Sequence, residues 1–184
     1  MVGFGGYASF PTVLAAILRG LPTAIHEQNA VLGRANRLLA RRARRIATSF
    51  AATRGLPQAT EARAVRTGMP GRPQVAALAG KPYQAPTAGT PVSLLIIGGS
   101  QGARIFADVV PAAVARTPGD LRRHLRIAQQ CRPEDLERTR EAYARMDVAA
   151  ELAPFFADAP ERMAAAHLVI ARAGASTVAE LAAL

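Results

Sequence analysis

Three short stretches of this sequence combine glycine with small or polar residues in a way that could hold an anion. They are GFGGYAS at Gly3–Ser9, GGSQGAR at Gly98–Arg104 and RAGAST at Arg172–Thr177. Glycine removes the side chains that would keep a ligand away, and amide N–H groups at the head of a following helix can then face a phosphate. A tight turn needs the same residues for steric reasons alone, so each stretch by itself leaves both readings open. None of the three is GxGxxG, which disfavours a dinucleotide fingerprint. In the second stretch the Ser100 hydroxyl can add a donor to the backbone amides of Gln101 and Gly102, or it can cap the helix that follows.

Charged and polar side chains extend this chemistry. Thr177-Val178-Ala179-Glu180 fits the capping box, in which Glu180 reaches back to a backbone N–H. The same carboxylate could instead grip a pair of vicinal hydroxyls such as those of a ribose. His26-Glu27-Gln28-Asn29 is the densest polar cluster and follows a strand-like run, as a solvated turn or a site would. In Gly68-Met69-Pro70-Gly71-Arg72, Arg72 is a candidate phosphate clamp. Arg104 is a weaker one, because a single arginine in a first helical turn is commonly solvated. No HxxxH or Cys/His cluster supports a metal, and no Ser–His–Asp constellation declares itself. Six arginines between Arg34 and Ala47 surround Leu38, Leu39 and Ile46, a pattern that suits either a solvated face or an anionic membrane surface.

The elements that must position these residues alternate. Apolar runs at Thr23–Glu27, Arg45–Thr48, Ala64–Thr67, Val92–Ile97, Leu125–Ala128, Ala149–Leu152 and Leu168–Ala171 read as strands. Between them, Phe10–Leu18, Arg34–Arg42, Arg104–Ala115, Pro133–Arg145, Ala159–Ala166 and Thr177–Leu184 read as helices. That alternation predicts an α/β fold with parallel sheets, and ligands of such sheets bind outside the carboxyl ends of the strands. Residues 80–91 carry prolines without periodicity and read as a linker. The expected domains are therefore 1–79 and 92–184, facing each other over an anionic ligand. The glycine turn at the start has no strand expected before it, and the last helix lacks a stop signal. Both domains are thus expected to be incomplete.

A formal net charge of +10 favours an anionic partner. Aromatic residues make up only 5% of the chain and Trp is absent, so nucleic acid is not expected. One cysteine, Cys131, precludes an internal disulfide, and no apolar run is long enough to predict a transmembrane helix. Met1-Val2-Gly3 does not open a signal peptide.

In order and approximate spacing, GFGGYAS, HEQNAVLGRANR, TGMPGR, LLIIGGSQGAR and ARAGASTVAELAA resemble the MurG family of peptidoglycan N-acetylglucosaminyltransferases, glycosyltransferase family 28. The resemblance covers essentially the whole chain. It implies the GT-B architecture of two Rossmann-like domains, with no metal or other cofactor. It implies transfer of N-acetylglucosamine from UDP-GlcNAc to the muramoyl 4-hydroxyl of lipid I, giving lipid II. Asn29 is then expected near the donor sugar, and Arg72 and Ser100 at the UDP-sugar, chiefly its diphosphate, with Gln101 and Gly102 beside Ser100. Glu180 is expected at the ribose hydroxyls, Ala175, Ser176, Thr177, Val178 and Ala179 along the donor pocket, and the backbone of Phe156 at uracil. Gly3, Gly5, Gly6, Tyr7 and Ser9 resemble a glycine loop at the acceptor-side pyrophosphate.

The same resemblance implies a peripheral enzyme on the cytoplasmic face of the bacterial inner membrane, with an anionic membrane surface as partner. The family's GGTGGH-like loop, whose histidine is its candidate base, has no counterpart here, and neither do its downstream glutamines. No residue is therefore assigned as base, His26 included, and these 184 residues are expected not to turn over alone. Ala173 stands where many members have serine. Two other functions fit parts of the pattern. One is a different nucleotide-sugar GT-B enzyme, such as a glycolipid glycosyltransferase or UDP-GlcNAc 2-epimerase. The other is a non-catalytic module that binds a UDP-sugar or a membrane.

Overall fold

The structure is a computed structural model that describes residues 1–99 and 103–184. The chain divides into two compact units, Met1–Pro70 and Gly71–Leu184. Each carries a four-stranded parallel sheet with crossover helices, the arrangement expected from alternating apolar runs and helical patterns.

In the first unit β1 (Val2–Gly3), α1 (Gly6–Leu18), β2 (Ala24–Glu27), α2 (Arg34–Ala40), β3 (Arg45–Thr48) and β4 (Ala64–Arg66) follow in order. A 3-10 segment, Gln58–Arg63, precedes β4. The strands lie in sequence order, with Ile25 opposite Ile46 and Ile46 opposite Ala64. Val13 of α1 and Leu39 of α2 close over Ile25 and Ile46 to form the core. β1 corrects the expectation that no strand precedes the glycine turn: Val2 and Gly3 pair with Ala24 and Ile25. Two residues are too few to show a period of two, so pairing alone reveals the strand.

In the second unit α3 (Pro73–Leu78) precedes β5 (Val92–Ile97), α4 (Arg104–Ala115), α5 (Gly119–Arg122) and β6 (Leu125–Gln130). Then come α6 (Leu136–Ala144), β7 (Ala149–Ala153), α7 (Ala159–Ala165), β8 (Leu168–Ala171) and α8 (Ala175–Ala183). The strand order is β7-β6-β5-β8. Leu94 and Ile96 face a core with Val110, Ile127 and Tyr143, while Leu95 and Ile97 face another with Phe156 and Met163. Burial on both faces explains why this strand reads as an unbroken apolar run. β6 runs two residues past its expected end because its polar tail is satisfied inside. Gln129 Oε1 accepts from the Tyr143 hydroxyl at 2.5 Å, and Gln130 accepts from the Gly98 N–H at 3.1 Å. Helix α3, not foreseen in the sequence, packs against α7 and α8.

One buried carboxylate organises the loop between β2 and α2. Glu27 is 3% exposed and forms no salt bridge among the described residues. Its Oε1 accepts from the backbone N–H and the side-chain amide of Asn29, at 3.0 and 3.1 Å. Its Oε2 accepts from the Gly33 N–H and from Asn36 Nδ2, both at 2.9 Å. Burial alone would raise the carboxyl pKa, but these donors outweigh it and hold the group below its ordinary value.

A depressed folded pKa contributes stability that is complete above the ordinary carboxyl range and is lost as pH falls through the lowered value. Glu27→Gln turns one acceptor into a donor facing donors, and should cost about 2 kcal/mol at neutral pH. In urea unfolding the gap between parent and variant should narrow as the pH falls below the carboxyl range. A gap that stays constant with pH would show that the charge of Glu27 contributes nothing.

Candidate functional site

The order of strands in the second unit locates the first part of the site. The chain builds outward from β5 through β6 to β7, then returns to place β8 on the other side of β5. At such a reversal the connections after the two strands that flank it, here β5 and β8, cross to opposite sides and leave a crevice at the carboxyl ends. Ile97 pairs with Ala171, so the loops that follow β5 and β8 leave the sheet side by side. Gly99 has φ 86°, a conformation that favours glycine and turns the chain off β5. The expected donors Ser100, Gln101 and Gly102 lie outside the described residues.

After β8, Gly174 caps α8 with extended backbone and the helix starts at Ala175. Val178 N–H is the first to close a helical bond, onto the Gly174 carbonyl at 3.0 Å. The N–H groups of Ala175, Ser176 and Thr177 therefore point out of the helix end with no intrahelical acceptor, where the helix dipole favours a negative group. The capping-box reading of Thr177 and Glu180 is corrected: α8 has no side-chain cap, because it begins two residues before Thr177.

Glu180 instead receives Arg72. Arg72 Nε donates to Oε1 and Nη2 to Oε2, each at 2.7 Å, a parallel two-pronged pair. Arg72 stands at the head of α3, and the packing of α3 on α8 carries it to a partner 108 residues away. The pair raises the pKa of Arg72 above its ordinary value. Two residues expected to share a ligand are thus brought together.

Phe156 is placed differently. Its ring is buried against Leu95 and Met163, and the guanidinium of Arg162 lies over it at 4.3 Å from the centroid. Arg162 is itself held by Glu151, at 2.6 and 2.8 Å, and by Asp158, at 2.8 and 2.9 Å. The side chain of Phe156 is thus committed to the core, and only its backbone is left for a ligand.

The first unit holds a second pocket, of about 340 Å³, between the glycine turn and the loop after β2. Gly5, Gly6, Tyr7, Asn29, Arg34 and Asn36 are among its lining residues. Gly5 and Gly6 have φ 81° and 76°, so both need glycine, and a Cβ on Gly5 would press to 3.2 Å from Asn36 Nδ2. Gly3 and Ser9 do not line this pocket. Gly3 is where β1 meets α1, since a Cβ there would come within 2.5 Å of Val13 Cγ2. Ser9 Oγ donates to the Gly5 carbonyl at 2.7 Å and steadies the turn.

His26 is buried, with its ring 5.4 Å from that of Phe4, and Nε2 donates to the Gly68 carbonyl at 3.0 Å. That acceptor fixes the tautomer and makes the ring a tether for the TGMPGR loop. Sequence reasoning missed Asn36, whose Nδ2 bonds both Glu27 and the His26 carbonyl, at 2.9 and 3.1 Å. Its only sequence signal is an amide nine residues beyond a strand-end carboxylate, which no local pattern singles out. Among the described residues, no group of His, Cys, Asp and Glu could hold a metal ion.

Comparison with known proteins agrees with this geometry. Residues 1–48 match the glycosyltransferase family 28 N-terminal domain and residues 93–184 the glycosyltransferase family 28 C-terminal domain. The UDP-N-acetylglucosamine--N-acetylmuramyl-(pentapeptide) pyrophosphoryl-undecaprenol N-acetylglucosamine transferase of Rhodospirillum centenum is 59% identical over 181 residues, which are 98% of this chain and 48% of that protein. The like-named transferase of Paramagnetospirillum magneticum is 61% identical over 98% of this chain and 49% of its own length. The crystal structure of Acinetobacter baumannii MurG superposes with a TM-score of 0.74 at 34% identity, covering 98% of this chain and 48% of that one. The chain therefore spans about half the length of the curated relatives it matches. With a parallel α/β unit for each of the two domains and both domain signatures in order, the chain belongs to glycosyltransferase family 28 and has a partial GT-B fold.

Proposed function

We propose that the chain serves the transfer of N-acetylglucosamine from UDP-GlcNAc to the muramoyl 4-hydroxyl of lipid I, giving lipid II. The observation that carries this reading is the Arg72–Glu180 pair beside the strand-order reversal of the second unit. A carboxylate and a guanidinium held together in the unit that carries this reversal support the reading, as the two charged groups that a nucleotide's diol and diphosphate would meet. The names of the relatives supply the sugar and the acceptor.

In this reading Glu180 accepts hydrogen bonds from the ribose diol, and Arg72 and Ser100, with the amides of Gln101 and Gly102, meet the diphosphate. Ala175 to Ala179 line the donor pocket, the backbone of Phe156 meets uracil, and Asn29 faces the donor sugar. Gly5, Gly6 and Tyr7 border the acceptor diphosphate. In the reaction a base takes the proton of the 4-hydroxyl while that oxygen bonds to C1 of the sugar. The bond from C1 to UDP breaks with its electron pair passing to the diphosphate, whose growing charge Arg72 and the loop amides stabilise. One displacement inverts the anomeric centre. No residue of this chain is assigned as the base, and His26 is occupied as a tether.

The excess positive charge is gathered in the first unit, which has ten arginines against two glutamates. The second unit is nearly balanced, with thirteen basic and eleven acidic residues. Around α2, Arg34, Arg37, Arg41, Arg42, Arg44 and Arg45 are all exposed, as is Leu38, while Leu39, Ala40, Ala43 and Ile46 are buried. Basic side chains around an exposed leucine suit peripheral contact with anionic lipid on the cytoplasmic face of the inner membrane. No helix among the described residues is long and apolar enough to cross a membrane.

Glu180→Ala should weaken UDP-GlcNAc binding by about 1–2 kcal/mol: charged hydrogen bonds to the diol are lost, offset in part because the pair with Arg72 no longer has to open. Titration calorimetry on parent and variant measures this, and equal affinities would confine Glu180 to its ion pair. For the basic face, replacing Arg41, Arg42, Arg44 and Arg45 by glutamine should abolish most binding to vesicles rich in anionic lipid, at about 1 kcal/mol per charge. Co-sedimentation of the parent should also fall as salt rises. Binding indifferent to both changes would leave this face merely solvated.

A further inference from the structure

Under the donor reading above, on which this inference rests, Arg72 and Glu180 belong to different parts of one ligand. In the structure they neutralise each other through two hydrogen bonds of 2.7 Å. Their exposures are unequal: the Glu180 side chain is 12% exposed and that of Arg72 is 45%. A carboxylate so far withdrawn from water needs a partner at all times, whereas an arginine at the head of a short helix can turn to water or to another anion. A ribose diol alone would have to displace the guanidinium from Glu180, and so exchange a two-pronged ion pair for two hydrogen bonds from neutral hydroxyls while Arg72 turns to water. A phosphate alone would draw Arg72 away and leave the half-buried Glu180 carboxylate without its partner.

We infer that the Arg72–Glu180 pair is a selectivity lock for nucleoside diphosphates: it opens for a ligand that carries a vicinal diol and a diphosphate on one frame, and resists either part alone. With both parts present each charge exchanges one partner for another, and no charge is stranded at any stage. The pair thereby discriminates against nucleosides and free phosphates, which would otherwise occupy half of the site. Arg72 acts here as a specificity residue toward the nucleoside half of the ligand, through its hold on Glu180.

The test is titration of the chain and of Arg72→Met with uridine and with UDP. The expected results are that uridine binds Arg72→Met about tenfold more tightly than it binds the parent, the scale of one charge-assisted contact, and that the preference for UDP over uridine shrinks by at least that factor. Arg72→Lys, which keeps the charge and loses the two-pronged geometry, should fall between them.

A second measurement needs no variant. Raising salt from about 0.05 to 0.5 M screens the exposed side of the pair, so uridine should bind the parent more tightly while UDP binds less tightly. If Arg72→Met melts well below the parent, this salt series decides. UDP binding to the parent with no gain for uridine, in the variant or in salt, overturns the lock and leaves the donor reading standing. Failure of the parent to bind UDP at all overturns the donor reading, and the lock with it.

Discussion

Parallel pairing is the constraint on which both units depend. Strands that all run the same way must be joined by crossovers, so every loop that leaves a strand end does so at one edge of its sheet. Within each unit this rule brings together strand-end loops that are separated by tens of positions in sequence, and helix packing adds Arg72 to Glu180 in the second. The rule also explains the glycines. Where β5 ends, a strand buried on both faces passes directly into the edge, and Gly99 makes the turn without a side chain to obstruct it. Steric necessity and anion chemistry therefore ask for the same residue at the same place.

The two units then hold a carboxylate in contrasting ways. Glu27 is fixed by neutral donors, two of them backbone N–H groups of its own loop. Those bonds open only if the loop itself unfolds, so Glu27 sets geometry and does not exchange partners. Glu180 is fixed by a cation on a separate short helix, and the bond can open by rotation of the arginine side chain alone. Rigid capture suits a group that shapes a pocket wall, as Glu27 does through Asn29, Gly33 and Asn36. Exchangeable capture suits a group that meets a ligand.

Much of the architecture was legible because burial leaves periodic marks. The LLII run of β5, the alanine-rich helices and the alternation of the two declare a parallel α/β fold without reference to tertiary structure. What escaped was short or distant. β1 has two residues, and α3 has six and begins at a proline. The partner of Glu180 lies across the second unit, where no local pattern can connect it. The capping box failed for a more specific reason. ASTVAE fits the template in spacing, but Ala175 and Ser176 are already helical, which moves the cap back to Gly174 and leaves Glu180 a full turn inside. A template of four residues cannot tell where a helix starts when good helix formers precede it. The arginine run was legible as a composition, yet its division into an exposed face and a buried one required α2 to end at Ala40 and β3 to begin at Arg45.

That division has a structural origin in the arginines themselves. Arg63, arriving from the 3-10 segment before β4, donates to the backbone carbonyls of Ala43 and Arg41 at the end of α2. A cation at a helix C-terminus satisfies carbonyls that have no helical partner and opposes the negative end of the dipole. One arginine thus fastens the turn between α2 and β3, and Ala43 is buried beneath it. With the turn fastened, Arg41, Arg42, Arg44 and Arg45 are all left at the surface, since Ala40, Ala43 and Ile46 fill the inward positions. Like charges this close repel, and a fold gains nothing from holding them together in water. A face of this kind is stable because neutral packing beneath it fixes the backbone, and it becomes favourable when an anionic surface supplies the missing counter-charge.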